Sequence, residues 1–233
     1  GQQPAPQEEQ GEVKESWDDR GLSEKDLREE AVSIKHLMTH YPKNRHCEAC
    51  QRSRLRRKAN RKRVEPREVD PNFCSSITLD HVYAHTEDME GIDGSLDLLV
   101  AMDIGTEKID AYPAKSKSSD DKYAAIQDFR GDNYVHMVYS DNSKEIKKAV
   151  RQLGFPHRTS VPGIPATNTL AEGRVKIVVN GTRTALESAG LPSAFWPYAA
   201  RHVCFGLTTR MRNGTSSYFR QIGDHFAGPK IPF

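Results

Sequence analysis

Residues 77–83 read ITLDHVY, in which Ile77, Leu79 and His81 alternate with Thr78, Asp80 and Val82. Alternation with a period of two predicts a half-buried β-strand. Asp80 falls inside it, where a carboxylate is costly to bury unless it is paired or holds a metal. Downstream, VYSDNSKEI (138–146) ends an apolar strand at Asp141, just before a helix start, and NTLAEGR (168–174) puts Glu172 in the opening of a helix. Strand ends that meet helix N-termini are common positions for ligand-facing groups in α/β sheets. Three carboxylates brought together from separate elements can hold two divalent ions for phosphoryl transfer.

Two of the acids also have a plainer use. Asp141 can cap the helix NSKEIKKAV, and Glu172 can be a solvated charge on an amphipathic helix. In that helix Lys176, Asn180 and Arg183 continue the Glu172 face, while Val175, Val178, Val179, Thr182 and Leu186 form an apolar stripe. The run KIVV is β-branched and a poor helix former. Asp103 competes with Asp80 as first carboxylate, but its AMDIGTEK context fits a hairpin turn and a structural role. Asp97, Asp120, Asp121 and Asp132 read as turn or surface charges, and Cys74 and Cys204 as ordinary thiols.

Outward from these motifs the chain alternates strand and helix. Strands are expected over 77–84, 96–103, 108–113, 135–140 and 157–161, and helices over 120–130, 143–153, 168–189 and 194–207. Three strands on short connections followed by interleaved helices predict a mixed α/β sheet with helices on its faces. The net charge of +2 hides an asymmetry: residues 1–30 hold ten acids against four bases, whereas residues 52–67 hold nine bases and one acid. Such blocks are solvated arms rather than core. Residues 1–30 therefore read as an acidic disordered tail, with a frayed helix within SEKDLREEAVSIKHLMTH, and 52–71 as a basic linker. Residues 72–210 form the core, and 211–233 begin a further region. No apolar run reaches membrane-span length, and the first residue is Gly rather than Met, which suggests a segment of a longer chain.

Between tail and linker, residues 31–51 carry His36-x3-His40-x6-Cys47-x2-Cys50. Two imidazoles and two thiolates suit tetrahedral Zn²⁺, and a module this short folds on metal rather than on apolar burial. His46 is an alternative ligand to either histidine. The Cys pair in this setting reads as a metal site in a reducing compartment rather than a disulfide.

With the finger, TLDHV, SDNSKE and the glutamate of an NxxAE context preceded by Pro162 and Pro165, the chain resembles integrases of the retroviral and copia-like LTR-retrotransposon type. The resemblance covers roughly residues 31–233. It includes LESAGLPSAFWPYAARH after the glutamate, and IGDHFAGPKIPF as the beginning of a C-terminal DNA-binding region. Three departures accompany it: the short His-to-Cys spacing, Thr169-Leu170 in place of Gly after the Asn, and Gly173 after the glutamate.

The resemblance implies an RNase H-like, mixed five-stranded sheet preceded by a zinc module. It implies that Asp80, Asp141 and Glu172 hold two Mg²⁺ or Mn²⁺ ions in a DDE-type polynucleotidyl transferase. The reactions implied are 3′-end processing and strand transfer of double-stranded DNA, from element ends into target DNA, by a homo-oligomer. The alternatives are a catalytically decayed DNA-binding remnant, or an RNase H-like nuclease that cuts without joining. Lys176 and Arg183, with Arg56, Arg57, Arg61 and Arg63 of the linker, are the expected phosphate contacts. The linker also reads as a nuclear-localisation run, giving a nuclear site of action after cytoplasmic assembly within a transposon polyprotein.

Overall fold

The computed structural model describes residues 21–53, 69–84, 89–159 and 169–233. Five strands form one mixed sheet: β1 (Ile77–Tyr83), β2 (Asp97–Asp103), β3 (Ile109–Ala114), β4 (Val138–Ser140) and β5 (His157–Thr159), in the order β3-β2-β1-β4-β5. β1, β2 and β3 pair antiparallel, while β4 and β5 run parallel to β1. This is the mixed five-stranded sheet with helices on its faces expected from the sequence; β1 is its central strand, and the interior strand β2 beside it is buried along its whole length.

Helices cover both faces. α4 (Ser119–Arg130) and α5 (Lys144–Leu153) close one face over Ile77, Leu79, Leu99, Ala101 and Val138, with Ile126, Phe129, Ile146 and Val150 opposite them. α6 (Thr169–Ala189) and α7 (Trp196–Thr209) close the other over Leu98, Val100 and Met102, with Val178, Ala200 and Cys204. Each fully buried Leu, Ile, Val or Phe of these layers contributes roughly 1.5–3 kcal/mol. Along α6, Val178, Thr182 and Leu186 are buried while Lys176 and Arg183 are exposed, as the stripe and ridge predict. The KIVV run is helical because packing outweighs its low intrinsic propensity.

Several expectations are corrected. β4 is confined to Val138–Ser140; Val135 is buried but outside the strand. The helix expected as frayed at the end of the acidic tail is a capped and packed one: α1 (Glu24–Ala31) has a Ser23–Asp26 capping box and buries Leu27 and Ala31. α1, α2 (Ile34–Leu37) and α3 (Glu48–Ser53) together make the module. A short helix, α8 (Ser217–Ile222), follows α7 in the C-terminal stretch. Asp97 is no surface charge: fully buried, it pairs with Lys122 of α4, itself buried. A partner so distant in the chain leaves no local pattern. Among the described residues, no helix is long and apolar enough to cross a membrane.

Candidate functional site

The His/Cys module is the more tightly built of two sites. His36 and His40 come from α2 and the turn after it, and Cys47 and Cys50 from the entry to and the body of α3; all four side chains are buried. Their ligand atoms all lie within 4.8 Å of one another. Cys47 Sγ is 3.4 Å from His40 Nδ1, and Cys50 Sγ is 3.5 Å from His36 Nε2 and 3.8 Å from His40 Nδ1. Tetrahedral zinc bonds of usual length put S and N about 3.5 Å apart, so the donor set fits the ion. The Cys47 thiol is drawn far below its ordinary value, first by its hydrogen bond with Cys50 and further by His36 and His40, against the opposing effect of burial. That favours the thiolate a metal requires. His46 is not in the cluster: its Nε2 lies 2.7 Å from Glu24 Oε2.

The module sits on the α6 and α7 layer. Ser53 Oγ and Thr184 Oγ1 share a hydrogen bond of 2.6 Å, and Arg52 lies 3.8 Å from Glu187. Two glycines permit the close approach. A Cβ at Gly181 would stand 2.7 Å from Val203 Cγ1, and one at Gly206 would stand 2.6 Å from Thr39 Cγ2. Thr39, beside His40, is thereby seated against Gly206 of α7, and its carbonyl would lie 3.4 Å from a Cβ at Gly181 of α6, the helix that carries Glu172.

At the second site, pairing of Leu79 with Ser140 in parallel register puts Asp80 and Asp141 at neighbouring positions on adjacent strands. Asp80 pairs across β2 with Val100, which faces α6 and α7, so Asp80 points to the Glu172 layer. Its carboxyl is pushed up to about 6, mainly by burial, with the hydrogen bond from His81 N opposing and the charges of Asp141 and Glu172 raising it further. Three elements thus bring their acids into one electrostatic neighbourhood. The carboxylates are not drawn into a tight ligand set: among the described residues, the His/Cys group is the one such cluster.

Capping does not account for Asp141. Ser143 is the N-cap of α5, accepting from Ile146 N, while Asp141 Oδ1 accepts from Ser143 N at 3.1 Å. Nor does Asp103 compete for the site. Buried at the β2–β3 turn, it accepts from Cys74 N, Thr106 N and the Thr106 hydroxyl at 2.7–2.9 Å, which is a structural duty. A contact that sequence reading missed supports Asp141: Ser140 Oγ bonds the Asp141 carbonyl and lies 2.8 Å from His157 Nε2 on β5. Only the sheet register brings His157 there. Lys176 and Arg183 are exposed on α6, whereas Arg56, Arg57, Arg61 and Arg63 lie outside the described residues.

The chain is 28% identical over 136 residues to the retrovirus-related Pol polyprotein from transposon RE2 of Arabidopsis thaliana, covering 54% of this chain and 9% of that protein. It is 27% identical over 139 residues to the Pol polyprotein from transposon TNT 1-94 of Nicotiana tabacum, covering 54% of this chain and 10% of that protein. The homologues of this chain are retrovirus-related Pol polyproteins of transposons. A third, from transposon RE1 of Arabidopsis thaliana, is 32% identical over 95 residues, or 38% of this chain and 6% of its own length. The chain thus spans about a tenth or less of the Pol polyproteins it matches. No family model matches the chain. Among solved structures, the catalytic core domain of BIV integrase superposes with a TM-score of 0.46 at 14% identity, over 62% of this chain and 91% of that one.

Proposed function

We propose that the chain is the zinc module and catalytic core of a retrotransposon integrase, a DDE-type polynucleotidyl transferase that processes DNA 3′ ends and joins them to target DNA. The observation that carries this reading is the approach of Asp80, Asp141 and Glu172 from β1, the end of β4 and α6, with Asp80 raised mainly by burial and further by the charges of the other two. Homology to transposon Pol polyproteins supports it.

Asp80, Asp141 and Glu172 are the residues that would hold two Mg²⁺ or Mn²⁺ ions. When bound there, such ions would supply charge stabilisation and a nucleophile at neutral pH for in-line displacement at phosphorus. The protein's own part is to fix the carboxylates on rigid elements. β1 and β4 hold the two aspartates side by side, the Ser143 N–H orients Asp141, and α6 packs against β1 with Glu172 in its first turn. Lys176 and Arg183 on the exposed ridge of α6 would contact phosphates of double-stranded DNA, element end or target, and the linker arginines would add sequence-independent affinity. The zinc site orders the module and seats it on α6. Insertion of two DNA ends together implies a homo-oligomer, and the basic linker a nuclear site of action.

The test is metal-dependent joining of a labelled, pre-processed DNA end to plasmid, together with the reverse reaction on a branched substrate. Joining lost in Glu172→Gln supports the integrase. Cutting without joining would replace it by a nuclease, and DNA binding without reaction in either metal by a decayed binding protein.

A further inference from the structure

A cleft on the far side of α6 gathers guanidinium groups from four places in the chain. Arg174 reaches it from α6, Arg210 from the end of α7, Arg212 from a turn closed by pairing with Thr215, and Arg220 from α8. One acid lines the cleft, Glu107 of the β2–β3 turn, lying 3.6 Å from Arg174 and 3.0 Å from Arg220. Arg210 donates to the Tyr41 carbonyl and lies over the Tyr41 ring at 5.3 Å, tying the cleft's rim to the zinc module. The Arg212 side chain has no ion-pair partner among the described residues.

Arginines outnumber acids four to one in this lining. Guanidinium groups gathered in one cleft repel one another, and an oxyanion relieves that repulsion while accepting paired N–H donors from each planar fork. Glu107 bridges Arg174 and Arg220 and so holds their forks in place.

We propose that this cleft binds adjacent backbone phosphates of nucleic acid, at a distance from the carboxylates. The proposal rests on the DNA-joining reading above for its choice of polyanion. Arg174 follows Glu172 by two residues, about 200° round the helix, so cleft and carboxylates flank opposite sides of one α6 turn. A helix with side chains is about 10–12 Å across. A single small anion cannot reach both sides of it, whereas a nucleic-acid strand passing over the start of α6 can.

The test uses the full, zinc-loaded chain and a labelled random-sequence DNA duplex, with no divalent metal beyond the zinc and no turnover. Affinity is measured from about 50 to 200 mM salt, the range over which phosphate contacts dominate. The double variant Arg212→Gln, Arg220→Gln is expected to flatten the log–log salt slope by about 1.8, roughly 0.9 per lost contact, and to weaken binding on the order of tenfold. If the double variant does not fold, Arg212→Gln alone is expected to flatten it by about 0.9. Slopes parallel to the parent overturn the proposal. Inorganic phosphate is the second arm: if it raises the thermal midpoint of the parent and not of the variant while the DNA slopes stay parallel, the cleft is a free-oxyanion site and the nucleic-acid assignment is overturned. Because no joining is measured, this result is separable from failure of the catalytic reading.

Discussion

The His/Cys module and the carboxylate site solve opposite problems within one chain. His36, His40, Cys47 and Cys50 are buried and already at metal-ligand spacing. Asp80 is partly buried, and Glu172 is exposed at the start of α6. A structural ion is best enclosed on all sides by protein, whereas a reaction site must leave positions for substrate. The module's donors can therefore close in the fold itself, while the acids keep an open side. The two sites meet in α6, which carries Glu172 at one end and receives the module through Gly181 and Thr184 further along.

The largest effect should come from breaking the closed site. Cys50→Ser, or removal of zinc with a chelator, is expected to melt α1–α3, because structural zinc in small modules supplies on the order of 10 kcal/mol. Hydrogen exchange would show amide protection lost over residues 24–53 and kept in the sheet. Retention of that protection would mean the module folds on packing alone.

Next comes the joint between the two regions. Gly206→Ala puts a Cβ against Thr39, and overpacking of this kind costs about 1–3 kcal/mol. Denaturant unfolding reads that loss, and an unchanged midpoint would show that the module is not seated there.

The smallest effect concerns the open site, and its sign is opposite. Burial and the neighbouring acids raise Asp80 to about 6 from an ordinary 3.8. A carboxyl raised by folding stabilises fully below its unfolded value, and that contribution is lost as pH rises from about 4 to 6. Partial solvent exposure reduces the full-shift value to about 1 kcal/mol. At pH 7 without Mg²⁺ or Mn²⁺, Asp80→Asn should therefore raise the thermal midpoint of the zinc-loaded chain by a few degrees. A lowered midpoint would show that Asp80 has a structural partner instead.

Most of the framework was legible because local pattern encodes it. The alternation of ITLDHVY gave β1, and the stripe Val178–Thr182–Leu186 gave α6 despite its β-branched run. The paired spacings of His36/His40 and Cys47/Cys50 gave the metal cluster, though not the exclusion of His46, which Glu24 determines from an earlier helix. What stayed hidden depends on residues far apart in sequence. Lys122 neutralises Asp97 from another element, His157 reaches Ser140 only through the β4–β5 register, and Arg220 joins Arg174 at Glu107 only once α8 folds back. α1 was expected only as a frayed helix for a different reason: its acidic surface resembles a tail, and only Leu27 and Ala31 form its buried side.

The central claim is that phosphoryl transfer belongs to the open site and architecture to the closed one. Glu172→Gln, prepared with zinc, separates them in one sample. The expected result is one zinc per chain and the parent's melting behaviour, with Mn²⁺-dependent joining of a pre-processed DNA end reduced by about a thousandfold or more, the scale of the several kcal/mol a metal supplies. Joining at the parent's rate in Glu172→Gln would contradict the account, because the chemistry would then reside elsewhere in the chain.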